Sequence, residues 1–258
     1  MKVWLPPVVF GVLMVVVWQL VTDVGGLPSF LLPSPSAIAE QFHANLGNIT
    51  TASIAIGKNA LIGLIVGSIL GLVSAAVAVR LRVVDELLSP IAAAAAAIPI
   101  VALAPVFNSM FSATTDFPRR LVVTIVVFFP VFVSAAKGLR QVAPVHLDFM
   151  RSCAASNWEI TRHVRFPMAL PLVFTGLRVA APNAVIAAII TEYFGGLQNG
   201  LGSRITSAAS NTAYPRAWAY VVGAIVVGLL FFLLVLLLER LVARRPARAV
   251  RADYRRTP

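Results

Sequence analysis

Three groups of residues in this 258-residue chain have a type and setting that could do chemistry. The first is the sulfur and imidazole set: Cys153, His43, His146 and His163. They stand too far apart for metal-ligand spacing, and one cysteine excludes an internal disulfide. The second is a set of polar residues in long apolar runs: Lys58, Asn183, Thr191 and Glu192. Inside a membrane such residues are candidates for a path or gate. The structural alternative is a helix-interface role for Lys58 and an interfacial position at the outer mouth for Glu192. The third is the polar stretch RSCAASNWEITRHVRFPMALP, residues 151–171. It holds no nucleophile–base pair. Its spacing instead positions backbone: Ser156-Asn157-Trp158-Glu159 has the form of a capping box, in which Ser156 accepts from the Glu159 amide and Glu159 reaches back to the Ser156 amide. The chain has no G-x-x-x-x-G-K-[ST] phosphate loop and no G-x-S-x-G, H-E-x-x-H or C-x-x-C. It is therefore expected to be no enzyme, to carry no cofactor or metal, and to hydrolyse no ATP alone.

The elements that must position these groups are set by composition. Hydrophobic residues are 59 % and mean hydropathy is +0.88. Charged residues are 12 %, about half the share of a soluble domain. The apolar runs are long and do not alternate, so the expectation is an all-α polytopic membrane protein, not a barrel. We expect six transmembrane helices at about 5–22, 52–79, 88–107, 119–138, 169–192 and 217–239, forming one transmembrane domain over 1–258. The first run is taken as an anchor rather than a signal peptide, because no small-x-small site follows it. A net charge of +11 is read as topology, not nucleic-acid binding. With both termini cytoplasmic, 16 of the 21 Lys and Arg fall inside and 4 outside, namely Arg119, Arg120, Arg204 and Arg216. Arg119 and Arg120 run against the bias with no reason visible in the sequence.

That topology makes 139–168 a cytoplasmic loop and 240–258 a basic cytoplasmic tail resting on anionic headgroups. In the loop, Pro144 opens a short helix. Asp148 and Arg151 lie three apart and can pair weakly. The chain breaks at Ala154–Ser156, and a second short helix runs from Asn157 to about Phe166. Pro167 then bends the chain into the fifth span. A basic loop that only enforces topology needs neither a capping box nor an exposed Trp158. The hairpin has the look of a docking surface. Segment 34–45 is expected as a helix on the outer surface. Pro99 and Pro105 in span three, and Phe129-Pro130 in span four, suggest kinked helices along a path; tolerated kinks are the alternative.

The loop resembles the "EAA" loop of binding-protein-dependent ABC importer permeases, in the positions Asp148-Phe149-Met150, Ala154 and Val164-Arg165-Phe166-Pro167. It is closer to the nitrate/sulfonate/taurine-type subfamily: Cys153-Ala-Ala-Ser-Asn-Trp158, Val164, Pro167, Ala169, Pro171 and Gly176-Leu-Arg178. Leu32-Pro-Ser-Pro-Ser36, Ile98-Pro-Ile-Val-Ala-Leu-Ala-Pro105, Glu192-Tyr-Phe-Gly-Gly and Gly200-Leu-Gly202 extend the likeness in order along nearly the whole chain. One departure is Ala154, where the family has Gly. An Ala in the left-handed conformation that closes a helix costs roughly 1 kcal/mol. The expectation is that the hairpin bends one residue later or turns less sharply.

The resemblance implies a type I ABC importer permease fold in a bacterial inner membrane. It implies that Asp148, Arg151, Ala154, Ala155, Ser156, Asn157, Trp158, Glu159 and Pro167 couple to a separate ATPase, where ATP and Mg would be bound. It further implies a second permease copy, an extracytoplasmic substrate-binding protein, and alternating access for a small anionic or heterocyclic solute. A secondary transporter and a non-transport structural membrane protein are the rival classes. The first usually shows an internal repeat and paired intramembrane charges, and the second leaves the capped hairpin unexplained.

Overall fold

The computed structural model describes residues 5–81, 86, 90, 99–112 and 114–253, with Ile100, Val101 and 243–253 as backbone alone. All regular elements among them are helices. In chain order these are α1 Leu5–Val24, α2 Pro35–Ala44, α3 Leu46–Arg80, α4 Ile100–Met110, α5 Phe117–Arg140 and α6 Pro144–Ser152. The unbroken helix α7 runs Asn157–Tyr193, followed by α8 Leu201–Ser210 and α9 Tyr214–Asp253. Five are long and apolar enough to cross a bilayer: α1, α3, α5, α7 and the Tyr214–Val242 part of α9. The third expected span, 88–107, falls largely outside the described residues. Its described end after Pro99 is α4, whose 11 residues cannot cross alone.

Lipid, not water, solvates most of this surface, so packing needs close backbone approach rather than amphipathic stripes. Small residues supply it. A Cβ on Gly67 of α3 would stand 2.6 Å from the Thr124 carbonyl oxygen of α5. A Cβ on Gly176 of α7 would stand 2.8 Å from the Pro130 carbonyl oxygen. Helix α5 is thus clasped between α3 and α7. Val122, Val123, Val127 and Val131 are fully buried there against Ala180, Ala184 and Ala188 of α7. Helix α1 turns nearly all its apolar side chains outward. It joins the bundle through an edge-on contact of Trp18 with Trp218 at 5.9 Å and through Gln19 Oε1, which accepts from the Ser36 amide at 3.0 Å. Ser34 caps α2 by accepting from the Ala37 amide.

Two expected boundaries differ. The basic tail continues the last span as helix to Asp253. The second loop helix, expected to end at about Phe166, instead continues through Pro167 into the fifth span. A proline in a regular helix leaves the carbonyl four residues back unpaired and collides with it. Here Thr161–Arg165 form a π-helical turn, with the Phe166 amide donating to the Thr161 carbonyl. This wider turn contains His163, the residue whose carbonyl the Pro167 ring would otherwise meet.

The α3–α5 contact yields a stability prediction. Gly67→Val overpacks it and should cost about 1–3 kcal/mol, read as a lower midpoint of thermal unfolding in detergent. Gly57→Ala, whose Cβ would meet nothing within 4 Å, should leave the midpoint in place. Equal midpoints for the two variants would contradict the packing.

Candidate functional site

Sixteen positions carry the sequence expectations, and the structure sorts them between the two ends of the bundle. At one end sits the hairpin. Helix α6 has no buried residue. Asp148 Oδ1 and Arg151 Nη1 pair at 3.5 Å in the open, a contact of little energetic weight. The helix ends in a Schellman turn: the Ala155 amide donates to the Met150 carbonyl at 3.0 Å and the Ala154 amide to Arg151 at 2.9 Å. Ala154 itself takes the left-handed conformation, φ +56°. The later or shallower bend expected for alanine is therefore corrected. The two closing hydrogen bonds outweigh a strain of about 1 kcal/mol.

Next comes the reciprocal cap. Ser156 Oγ accepts from the Glu159 amide at 3.3 Å, and Glu159 Oε2 accepts from the Ser156 amide at 2.7 Å. Ser156 Oγ also donates to Glu159 Oε2 at 2.7 Å. The Ser156 hydroxyl first, and its amide second, favour the carboxylate and hold Glu159 below its ordinary range. Asn157 opens α7 directly after the cap. Ile160 is buried, anchoring the first turn. Trp158 is 61 % exposed and Phe149 67 %, an apolar pair left on the surface. The Arg80 guanidinium at the end of α3 lies 5.7 Å from the Trp158 ring centroid, a cation–π contact that fixes the ring to the bundle.

At the other end is a polar network that the sequence reading missed. Glu192, expected at the outer mouth, is 1 % exposed. Its carboxylate pairs with Arg119 Nη2 at 3.5 Å and accepts from the Gly202 amide at 2.9 Å, Ser203 Oγ at 3.1 Å and the Gly200 amide. It thus caps α8 from a different helix, where the positive end of the helix dipole favours an anion. A Cβ on Gly200 would lie 2.7 Å from Glu192 Oε2 and from Ile56, and one on Gly202 would lie 2.5 Å from the Ile189 carbonyl oxygen, so both positions are bare where α8 closes on the end of α7. Arg119, 3 % exposed, also donates to Asn199 Oδ1 at 3.2 Å and to the Leu197 carbonyl, and pairs with Asp116 at 3.4 Å. Asp116 Oδ1 accepts from buried Asn59 at 2.9 Å, and Asn59 Oδ1 accepts from Arg120 at 2.8 Å. The chain Asn59–Asp116–Arg119–Glu192–Gly202 ties α3, α5, α7 and α8 together. The clue was in the sequence: Arg119 and Arg120 were the charges on the wrong side.

The other path candidates do not gather around this network. Thr191 joins it loosely: its carbonyl accepts from buried Asn108 at 3.4 Å, and its hydroxyl is spent on Ala187. Pro105 lies on the same short helix as Asn108. Pro99 is the exposed residue that opens that helix. Lys58 points outward and makes no polar contact with a described residue, and Asn183 is half-buried midway along α7. Phe129 packs with Phe128 in the apolar cluster nearer the hairpin.

Membrane-length helices with a rigid polar hairpin at one end and a buried ionic node at the other define a multi-pass helical membrane protein. The chain belongs to the family described as binding-protein-dependent transport system inner membrane component, whose pattern matches residues 63–248. It is similar to the riboflavin transport system permease protein of Chloroflexus aurantiacus, 29 % identical over 90 % of this chain and 87 % of that one. A probable ABC transporter permease protein of Haemophilus influenzae is 32 % identical over 76 % and 79 % of the two chains. The formylaminopyrimidine transport permease protein of Halalkalibacterium halodurans is 29 % identical over 77 % and 78 %. Permeases named for aliphatic sulfonates (Bacillus subtilis), nitrate (Synechocystis) and taurine (Escherichia coli) match at 25 or 26 %. The chain is accordingly the permease component of an ABC-type importer in the inner membrane.

Two predictions follow the two ends. Glu192→Gln leaves buried Arg119 with Asp116 as its remaining counter-charge and should cost about 3 kcal/mol, seen as a lower thermal midpoint. Arg119→Met combined with Glu192→Gln should recover part of that loss; a strictly additive double variant would refute the pairing. Ala154→Gly should relieve about 1 kcal/mol of backbone strain and slow amide exchange across 150–155. Faster exchange there would contradict the left-handed turn.

Proposed function

We propose that the hairpin from Pro144 to Pro167 is the element through which a separate ATPase drives this permease. The observation that carries the proposal is its continuity with a span. Trp158 stands in the first turn of α7, and Glu192 stands in the last, with no break over 37 residues. At 1.5 Å per residue that helix is about 55 Å long. A displacement of the exposed Phe149–Trp158 surface is carried as a rigid motion to the Arg119–Glu192 node. Conformational coupling needs such a contact, one that differs between two global states. Asp148, Arg151, Ala155 and Asn157 complete the proposed contact surface, and ATP and Mg belong to the ATPase.

The finer topology belongs to the same reading. It has six spans with 88–107 as the third, both termini cytoplasmic, and a single type I permease domain over 1–258. The hairpin and the paired residues support this orientation. Two of the four outer arginines, Arg119 and Arg120, are held by Asp116 and Glu192, which weakens their weight against the positive-inside bias. One chain offers half of a symmetric pathway, so a second copy completes it. An external binding protein delivers a small anionic or heterocyclic solute, a range consistent with the relatives' names.

Cys153, the single cysteine, is exposed at the hairpin bend and offers a direct test. Maleimide labelling of Cys153 should slow when the ATPase subunit is bound. Trp158→Ala with Glu159→Lys should abolish ATPase retention and lower uptake about tenfold or more, with the chain still inserted. Unchanged uptake and an ATPase that never copurifies would sink the proposal.

A further inference from the structure

Helix α8 does more than close the Glu192 network. Its exposed side, the turn between α2 and α3, and the start of α9 border an open polar cavity of about 160 Å³. Asn45, Asn48, Arg204, Ser207, Arg216 and Tyr220 line it. We propose that this cavity binds an oxoanion, a group of phosphate, sulfate or sulfonate type.

The lining contains no carboxylate, and its charged groups are two guanidinium ions from different helices. Arg119 and Arg120 are neutralised by acids a few residues away, but Arg204 and Arg216 form no ion pair and no side-chain hydrogen bond with a described residue. Two cations facing one cavity without an acid repel each other and favour an anion between them. Tyr220 supplies an independent observation. It is 4 % exposed and lines the cavity, and its hydroxyl makes no hydrogen bond with a described residue. That hydroxyl is left free to donate to a group in the cavity. Asn48 and Ser207 add side-chain donors likewise unspent. Asn45 already donates to the Gln41 carbonyl at 2.9 Å, so its place is at the wall. The cavity is far smaller than a drug-sized pocket, about 300–1,000 Å³, and its size suits a compact tetrahedral group with a few waters. Glu192 fixes the start of α8, so Arg204 and Ser207 are presented on a rigid element.

The oxoanion has two sources: a soluble anion, or the phosphate of an acidic lipid at the bilayer edge. The test uses the full chain in a maltoside detergent, which has no phosphate, and no ATPase, so its failure leaves the transport reading untouched. Sodium sulfate, and separately phosphatidylglycerol, is titrated while the thermal midpoint is followed, with chloride at matched ionic strength as the reference. A saturable rise with sulfate alone assigns a soluble anion. A rise with phosphatidylglycerol at concentrations where sulfate has no effect assigns the lipid headgroup. Either rise should vanish in Arg204→Gln with Arg216→Gln. It should need about fivefold more ligand in Tyr220→Phe, which keeps the packing and tests the site even if the double variant misfolds. The proposal is overturned if neither ligand exceeds chloride, or if Tyr220→Phe and the double variant respond as the parent does.

Discussion

Hydrocarbon offers no hydrogen bonds, so a charge carried into a helical bundle must bring its partners with it. Glu192 is where this constraint is most tightly met. One carboxylate serves as counter-ion to Arg119 on α5 and as the cap of α8, and it lies on the last turn of α7. Four features of the chain follow from it. Gly200 carries no side chain because the carboxylate and Ile56 occupy that space. Arg119 is tolerated in the bundle. Asp116 and Asn59 are held in line beyond it. Helix α8 is fixed against the end of a 37-residue helix. Such a node adds little net stability over an apolar replacement, since desolvation offsets the attraction. What it adds is a fixed register among four helices that otherwise touch through interchangeable Val, Ala and Gly contacts.

The opposite end of α7 is built from the reverse principle. There the polar groups are exposed and satisfy each other locally, through the Ser156–Glu159 cap and the Schellman turn at Ala154. The result is stiff without being buried. Stiffness in an exposed hairpin is what the proposed dock requires, because a flexible loop absorbs a push that a capped helix transmits.

Much of this was legible in the sequence because it is local. The capping box shows in Ser156 and Glu159, three residues apart, and a span shows in twenty apolar residues. The helix of segment 34–45 shows in Ser34-Pro35, a cap followed by a proline at the first helical position. What was not legible is non-local or depends on compensation. Glu192 looked like a mouth residue because its partners lie 73 residues before it and 8 to 11 after it in sequence. Ala154 looked unfit for a sharp turn because its strain is visible in the residue type, while the hydrogen bonds that offset it are not. Pro167 looked like the end of a helix because proline costs a regular helix a hydrogen bond, and no sequence rule announces the wider turn that precedes it here. Lys58, the most conspicuous charge in a span, faces outward, whereas its quiet neighbour Asn59 is in the network.

That wider turn has a geometric consequence. A π-helical turn is one residue inserted into an α-helix, and one residue rotates everything beyond it by about 100°. In α7 the insertion falls at Thr161–Arg165, between Trp158 and the packed face that begins at Ala169. The azimuth of the indole around the helix axis is therefore a separate variable from the azimuth of the face packed on α5. Losing the extra residue would swing Trp158 off Arg80 by about a quarter-turn while leaving every contact from Ala169 to Glu192 where it is. The bulge works as an indexing joint, letting one end of the helix be re-aimed without re-cutting the other.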